Sequence, residues 1–269
     1  MSLLYSHIGA SRQDADAIAY VSAIRTAGAT VTAAQRDYIN DFIRAEKIAA
    51  RWDSIKRLYM PIWGVAAANA ICLRSLASGT FVGTVTHAAG YAQGNGSTGY
   101  LNTNTDFVTQ GLTLSSGFMF ALTILDATQD FDRFLGAGTG TSESSFIHRT
   151  SPRLDCRYSG VGSQILLNTS SNTGVATFSR ISGTRRVSVR KTAGVTSASN
   201  TTADTGTIPS SNVLAMALNN ANTGVTMANA SDARFGAVGF GLGLTSASTD
   251  AFTLALKKLW EGTTGLTLP

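Results

Sequence analysis

Apolar residues recur at helical spacing in the first part of this chain. Between residues 13 and 27, Ile18, Val21 and Ile24 fall on one face, which predicts an amphipathic helix. Gly28 follows this segment, and glycine is a common residue just past a helix C-terminus. The pattern therefore predicts a first helix that ends just before this glycine.

A second, longer helix is predicted from Thr32 to Pro61. Thr32 and Gln35 have the spacing of a capping box, in which each side chain accepts a hydrogen bond from the other residue's backbone. The apolar face of this helix consists of Ile39, Phe42, Ile43, Ala49, Trp52, Ile55 and Tyr59. Such a face packs either against the rest of the chain or against a second copy. The candidate contact residues are Phe42, Trp52 and Ile55.

Basic residues lie on the opposite face of the second helix. Arg44, Lys47 and Arg51 recur there at helical spacing. A run of this kind is usually a solvated face. The alternative is a docking surface for an acidic partner, which electrostatic complementarity would favour.

From about residue 66 the pattern changes to short apolar runs separated by Gly, Ser, Thr and Asn. This pattern predicts the strands and tight turns of a sandwich or a barrel. The predicted strands span residues 81–87, 117–125, 133–136, 145–149, 153–158, 164–168, 186–191, 213–218 and 234–240.

Two of these strands have informative patterns. Residues 118–125 are apolar on both faces, which predicts a central strand that is buried on each side. Residues 186–190 alternate instead. Two valines are expected to face the core, whereas Arg186, Ser188 and Arg190 are expected to face outward.

Helical spacing returns near the C-terminus. Residues 245–260 predict one short closing helix, with Gly262 just past its end. The chain therefore divides into a helical segment, residues 1–65, and a β domain, residues 66–269. We expect the helical segment to serve for attachment.

Composition narrows the class of protein. Hydrophobic residues make up 43% of the chain and charged residues 14%, with 27 glycines, which is typical of a folded, β-rich protein. The net charge of +5 arises because acidic residues are few, 16 against 21 basic ones. A nucleic-acid partner is not indicated, since such proteins concentrate basic residues on one face. We also expect no membrane span and no signal peptide, and hence assembly in a cytoplasm.

Candidate catalytic groups are few. Glycoside hydrolysis needs two carboxyl groups across the scissile bond, and Glu46, Glu143 and Glu261 do not fall on one predicted strand. The closest acidic pair, Asp130 and Asp132, has the surroundings of a turn. The sequence therefore predicts no catalytic pair. A weak calcium site on these two carboxylates stays an alternative, although the ligand spacing of a dedicated calcium loop is missing.

Other chemistry is also not indicated. Gly94 to Gly99 match G-x-G-x-x-G, but no helix pattern follows, so we interpret this segment as a turn. The histidines and cysteines lack metal-ligand spacing, and we expect neither a metal site, a disulfide nor a cofactor. They are His7, His87, His148, Cys72 and Cys156.

Four segments and the closing helix together resemble a known class of proteins. The segments are Asp14 to Tyr20, Trp52 to Lys56, Gly94 to Leu101 and Ser231 to Gly239. In this order they are similar to tailed-phage structural proteins that carry a concanavalin A-like, or laminin G-like, domain. The resemblance implies a mainly β fold, a jelly-roll β-sandwich preceded by an N-terminal helical segment and followed by a short C-terminal helix.

The resemblance also implies a function. It predicts a virion structural protein, either a tail fibre or tip or a capsid decoration protein, which contacts other virion proteins and displays a lectin-like sandwich. Host surface glycans are a possible partner, and Tyr91, Tyr100 and Tyr158 are the aromatic candidates for glycan contact. By analogy with the class we expect a homo-oligomer, with a trimer favoured. The alternatives are a polysaccharide-degrading enzyme on the same fold and a free lectin.

Overall fold

A computed structural model describes residues 13–125, 132–138, 144–150, 153–158, 165–169, 171, 173–201, 206–220, 227–228 and 230–269. Within these residues the chain forms four helices and seventeen strands. The helices are α1 (Ala15–Thr26), α2 (Ala33–Ile48), α3 (Ala66–Asn69) and α4 (Ser246–Thr264). The described residues include no helix long and apolar enough to cross a membrane.

The strands follow one another from residue 55 to residue 241. They are β1 (Ile55–Tyr59), β2 (Thr80–Val82), β3 (Val85–Ala88), β4 (Tyr91–Gly94), β5 (Tyr100–Asn102), β6 (Ser116–Leu125), β7 (Arg133–Gly138), β8 (Ser144–Thr150), β9 (Arg153–Arg157), β10 (Ile165–Asn168), β11 (Gly174–Ile181), β12 (Thr184–Lys191), β13 (Gly194–Asn200), β14 (Leu214–Ala215), β15 (Leu218–Asn219), β16 (Met227–Ala228) and β17 (Arg234–Gly241). Most of the predicted strands are present. The strand predicted as residues 81–87 is instead two strands, β2 and β3, which lie in different sheets on either side of Gly83, whose φ is 67°. The region predicted as residues 213–218 forms the two short strands β14 and β15.

The strands form two sheets. The first sheet has the order β13-β12-β11-β6-β17-β4-β3, and β1 pairs with β17 beside this path. The second sheet has the order β10-β9-β8-β7-β14-β5-β2, with β15 on β7 and β16 on β15. The pairings are antiparallel except for a short parallel contact between β15 and β7. The predicted fold class, a β-sandwich with helices at both ends, is confirmed.

The central strand β6 separates two cores. Met119 and Ala121 point into the core between the sheets, while Phe118, Phe120 and Leu122 point to the other face of the first sheet. Side chains of a strand alternate between its faces, so a strand that is apolar on both faces requires cover on each. The prediction that residues 118–125 are buried on both sides is confirmed through Leu122.

Helices cover the outer face of the first sheet. The ring of Phe252 in α4 lies 5.1 Å from Phe118 and 4.9 Å from Phe120, and Phe42 of α2 lies 6.4 Å from Phe252. The predicted capping box at the start of α2 is present, since Thr32 and Gln35 each accept a hydrogen bond from the other's backbone N–H. The molecule thus has three layers: helices, first sheet and second sheet.

The second helix ends earlier than predicted. It stops at Ile48, and residues Ile55–Tyr59 form strand β1, antiparallel to β17. The turn between them contains Ala50 in the left-handed region, with φ of 53°. Pairing with β17 buries Ile55 and Tyr59 on opposite faces of the first sheet. Tertiary pairing therefore overrides the helical spacing of these apolar residues, and part of the predicted helical segment belongs to the sandwich.

Candidate functional site

The apolar residues predicted to form a contact surface are buried in their own chain. Phe42, Trp52 and Ile55 all lie in the core between the helices and the first sheet. The rings of Phe42 and Trp52 are 6.5 Å apart in an edge-to-face arrangement. Of the two predicted positions, against the sandwich or between subunits, the structure shows the first. These three side chains are not available to a second copy.

The basic face of α2 is partly neutralised within the chain. Lys47 Nζ lies 2.7 Å from Asp14 Oδ1 and 2.8 Å from Asp16 Oδ2. Arg51 binds the buried Glu46 carboxylate through two nitrogens, and this hydrogen bonding raises the pKa of Arg51 against the opposing effect of burial. Of the three predicted docking residues, Arg44 is the one that makes no ion pair within the described residues, and it is exposed.

Arg186 and Arg190 of β12 point to the outer face of the first sheet, as predicted, but helix α4 covers them there. The two valines between them, Val187 and Val189, do lie in the core between the sheets. Arg186 makes a bidentate salt bridge with the carboxylate of Asp250 in α4, with N···O distances of 2.7 and 3.1 Å. Arg190 Nε donates to Thr253 Oγ1 at 2.7 Å, and its Nη2 donates to the Asp250 carbonyl. These arginines fasten α4 to the sheet.

Ser188 is also not exposed, in contrast to the prediction. It is buried in β12, and its hydroxyl lies 2.7 Å from the hydroxyl of Thr177 in β11. The next basic residue, Arg185, is fully buried as well. The three arginines of β12 are therefore either buried or bound within the protein.

The three tyrosines that were candidates for glycan contact do not converge. Tyr158 is 0% exposed, stacks on Phe178 at 5.5 Å and donates its hydroxyl to the Thr113 carbonyl at 2.7 Å. A side chain enclosed in this way cannot contact a glycan, so its assignment is wrong. Tyr100 is half-buried and packs on a small apolar cluster of the second sheet. Tyr91 lies on the first sheet, in β4.

Tyr91 takes part in a compact polar cluster with Gln93 and Arg234, which we call the Arg234 cluster. Gln93 of β4 pairs in register with Arg234 of β17. Ala92 and Phe235, the neighbours of this pair along the two strands, are buried between the sheets. The three side chains of the Arg234 cluster therefore point to the outer face of the first sheet, where all three are half-buried.

The contacts within the Arg234 cluster fix the guanidinium in place. Its central carbon lies 4.6 Å from the centre of the Tyr91 ring, and its Nε donates to Gln93 Oε1 at 3.2 Å. Gln93 in turn donates its Nε2 to the Asp232 carbonyl at 2.8 Å. Both ends of the Gln93 amide are engaged, which sets its orientation. Each member of the cluster is positioned by another.

The terminal nitrogens of Arg234 differ from its Nε in their contacts. Among the described residues, no hydrogen bond is made by Nη1 or Nη2, and no carboxylate pairs with this guanidinium. Arg74 provides a comparison, since it also lies over a ring, that of Trp52, at 5.1 Å. Arg74, however, binds Asp53 at 3.0 Å. Arg234 is thus a positioned cation whose charge is not compensated in this part of the chain.

A second charged cluster lies on the outer face of the second sheet. Arg133 and Asp155 flank the same position of β8 across the sheet, and Arg157 follows Asp155 on β9. Asp132 and Asp155 are only 2% and 4% exposed. Burial lowers the pKa of Arg133 to about 10, with Arg157 acting in the same direction and Asp155 opposing. Each of these four residues has an interaction partner.

The glycine-rich segment, the two cysteines and Glu261 were also considered as candidates for chemistry. The Gly94 to Gly99 segment forms a turn, as predicted, in which Asn95 Oδ1 accepts three backbone N–H groups. Cys72 and Cys156 are buried free thiols, and burial raises the pKa of Cys156. Glu261 is bound to Lys257 at 2.6 Å.

The described residues bring together no group of three His, Cys, Asp or Glu side chains that could hold a metal ion. His87 lies beside Phe81 with ring centres 4.5 Å apart, and burial lowers the pKa of this histidine. His7, Asp130 and Glu143 lie outside the described residues.

Comparison with solved structures finds distant similarity to several proteins. It is similar to the binding domain of botulinum neurotoxin serotype D, with a TM-score of 0.49 and 9% identity over 77% of this chain and 52% of that chain. It is also similar to the enzymatically active domain of bacteriophage CBA120 tailspike protein 2, with a TM-score of 0.41 and 11% identity over 71% and 30%. A third is the Ruminococcus gnavus IT-sialidase CBM40, with a TM-score of 0.37 and 10% identity over 55% and 91%.

These neighbours include enzymes as well as binding domains, and the likeness extends to the fold only. The chain spans about half the length of the neurotoxin domains it matches. No protein-family model and no curated protein sequence matches it.

Sequence reasoning identified one member of the Arg234 cluster, Tyr91, and missed the other two. Arg234 was visible as the first residue of a predicted strand, but its neighbour across the sheet was not, because β4 was not predicted. The alternation of Tyr91 and Gln93 around a buried alanine is the signal that could have indicated this strand.

Proposed function

We propose that this chain is a bacteriophage virion structural protein that displays a glycan-binding β-sandwich on the particle surface. The observation that carries the glycan-binding part is the Arg234 cluster. Protein sites for small polar ligands combine an apolar or aromatic wall with a few polar groups in fixed positions, and Tyr91, Gln93 and Arg234 have these properties. The placement on a tail fibre, tail tip or capsid rests on the resemblance of the sequence segments given above.

We propose that the helical layer attaches the protein to other virion proteins. Its exposed side chains would make this contact, because Phe42, Trp52 and Ile55 are buried. Ile18 and Ile48 are 51% and 84% exposed, and Tyr38 is also exposed. In this proposal a neighbouring protein covers these side chains, because burying them in a contact removes apolar surface from water. A groove of about 300 Å³ between α1 and α2 is lined by Gln13, Ile18, Val21, Ser22, Arg25, Thr26 and Arg36. The homo-oligomer, with a trimer favoured, stays a prediction.

The glycan-binding part is tested with the full-length protein on bacterial cells and on extracted surface polysaccharides. We expect saturable binding that is lost when the polysaccharide is first treated with periodate, which cleaves the diols of sugar rings. Binding that survives periodate treatment, or an absence of binding to every polysaccharide tested, would contradict the proposed function.

The virion part is tested separately by cryo-electron microscopy of purified particles. We expect density for the sandwich outside the particle surface and the α1 and α2 helices at the contact with neighbouring proteins. A protein that is absent from particles would leave a free lectin as the remaining interpretation.

A polysaccharide-degrading enzyme is the second candidate, and one observation favours it. Asp132 and Asp155 are two buried carboxyl groups next to arginines on the second sheet, and buried carboxyl groups with unlike surroundings can divide acid and base roles. Reducing-sugar release by the wild type, lost in Asp155→Asn, would support catalysis. We expect no release, because each of these two carboxyl groups is already engaged by a partner in the protein.

A further inference from the structure

We infer that Arg234 is the receptor for a carboxylate, so that the glycan bound at this face is an acidic one that carries uronic or similar sugar acids. This inference rests on the proposed function, since it names the class of ligand for the same cluster. The structure supports it through three properties of Arg234: a fixed position, a charge with no carboxylate partner among the described residues, and terminal nitrogens that bond to none of those residues.

The fixed position lowers the entropy that binding must overcome. A free arginine side chain loses rotamer freedom when it is immobilised by a ligand. Here the Tyr91 ring holds the guanidinium plane and Gln93 accepts from Nε, so most of this ordering has occurred before a ligand arrives. A stacked guanidinium is also more weakly hydrated than an ammonium group, which suits direct contact with an anion.

Among the residues that the structure describes, Arg234 differs from comparable arginines because it has no carboxylate partner. Arg74, which lies over a ring in the same way, has Asp53 as a partner, and Arg186 has Asp250. Both are held by carboxylates of the protein. A half-buried guanidinium that lacks such a partner is stabilised when a ligand supplies one.

The terminal nitrogens of Arg234, which bond to none of the described residues, match the shape of a carboxylate. Nη1 and Nη2 present parallel N–H groups, and a carboxylate has two oxygens at the matching separation. The contacts that the described residues make with Tyr91, Gln93 and Arg234 include no second basic side chain. One positive charge matches the single charge of a carboxylate, whereas a phosphate monoester near neutral pH carries more than one.

The test measures binding of the full-length protein to an array of acidic oligosaccharides. The array contains oligogalacturonides and sialylated oligosaccharides, the same compounds as carboxyl methyl esters, phosphorylated and sulfated oligosaccharides, and neutral ones. We expect binding to carboxylated members and a loss of about 10- to 100-fold on esterification, the range of a charge-assisted hydrogen bond.

Two variants address the residue itself. Arg234→Gln removes the cation, and Gln93→Glu places a carboxylate of the protein beside it, so that Arg234 gains an internal partner. We expect both variants to lose about 10- to 100-fold in affinity for the carboxylated members while the protein stays folded by circular dichroism. Arg44→Gln is the matched control, because it removes the same charge from the exposed face of α2 and should leave affinity unchanged.

The outcomes separate the inference from the proposed function. Equal binding of acids and their methyl esters, or unchanged binding by Arg234→Gln, would overturn the inference and leave glycan binding intact. Preference for the phosphorylated or sulfated members would overturn the choice of carboxylate. If the wild type binds none of the compounds, both the inference and the proposed function fail.

Discussion

Arginines on the outer face of the first sheet fall into two groups. Arg186 and Arg190, on β12, lie under helix α4 and bind its Asp250 and Thr253. Arg234, on β17, bonds instead to Gln93 and lies over Tyr91 on the neighbouring strand, and its terminal nitrogens make no hydrogen bond with the described residues. The same residue type on one face of one sheet thus has a structural role in one place and a candidate binding role in the other.

The difference shows what decides the role of a surface arginine. Helix α4 supplies a carboxylate and a hydroxyl to the arginines it covers, and these contacts hold the helix on the sheet. At the Arg234 cluster, side chains of the sheet itself position the guanidinium but provide no counter-charge. Contacts that fix the position of a guanidinium therefore need not neutralise its charge. A guanidinium that is fixed but not neutralised is suited to binding an anionic ligand.

The largest expected effect concerns the helix cover. Phe252→Ala removes the ring that contacts Phe42, Phe118 and Phe120, and we expect a loss of about 3–5 kcal/mol in the free energy of unfolding. Urea denaturation followed by tryptophan fluorescence would measure it. Leu254→Ala is the control, because Leu254 lies on the same helix but is 40% exposed. Equal effects of the two variants would show that α4 does not depend on its buried face.

A smaller change in the free energy of unfolding should distinguish the arginines under α4 from Arg234. Asp250→Asn weakens the pair with Arg186, and we expect a loss of about 1 kcal/mol in the free energy of unfolding. Arg234→Gln should change this free energy by less than about 0.5 kcal/mol, because no ion pair within the described residues is lost. A loss for Arg234→Gln as large as for Asp250→Asn would break the comparison.

The smallest effect is an acid sensitivity of the helical layer. A hydrogen bond from Lys47 lowers the pKa of Asp16 below its ordinary value of 3.8, with Trp52 donating a second bond and burial opposing. A carboxyl group whose pKa is lowered in the folded state stabilises the protein above its ordinary pKa, and this contribution is lost as the pH falls through the folded value. Asp16→Asn should remove that part of the acid dependence, measured as stability against pH from neutral to below about pH 4. An unchanged profile would assign the acid sensitivity to other carboxylates.

Much of the fold could be predicted because local patterns and tertiary contacts agree there. Residues 118–125 are apolar on both faces, and the structure covers both faces; Thr32 and Gln35 have capping spacing, and they cap α2. The prediction failed where pairing with a distant strand decides the outcome. Ile55 and Tyr59 fit a helix as well as a strand, and β17 alone selects the strand.

The candidate site was less predictable than the fold. Tyr91 and Arg234 are 143 residues apart, and their contact depends on the pairing of β4 with β17. The fate of Arg186 and Arg190 likewise depends on where α4 packs. Alternation along one strand shows which side chains leave the core, but it does not show what covers them.

The central position of β17 also bears on how the chain acquires its structure during synthesis. β17 is hydrogen-bonded to β1, β4 and β6, so three strands pair with one that is synthesised more than 100 residues after each of them. Pairings between residues so distant in sequence form slowly, because the entropy of closing a long loop precedes any gain from contacts. Before β17 is synthesised, the edges of β1, β4 and β6 that pair with it are unpaired. A nascent chain, or one truncated before β17, is therefore prone to aggregation.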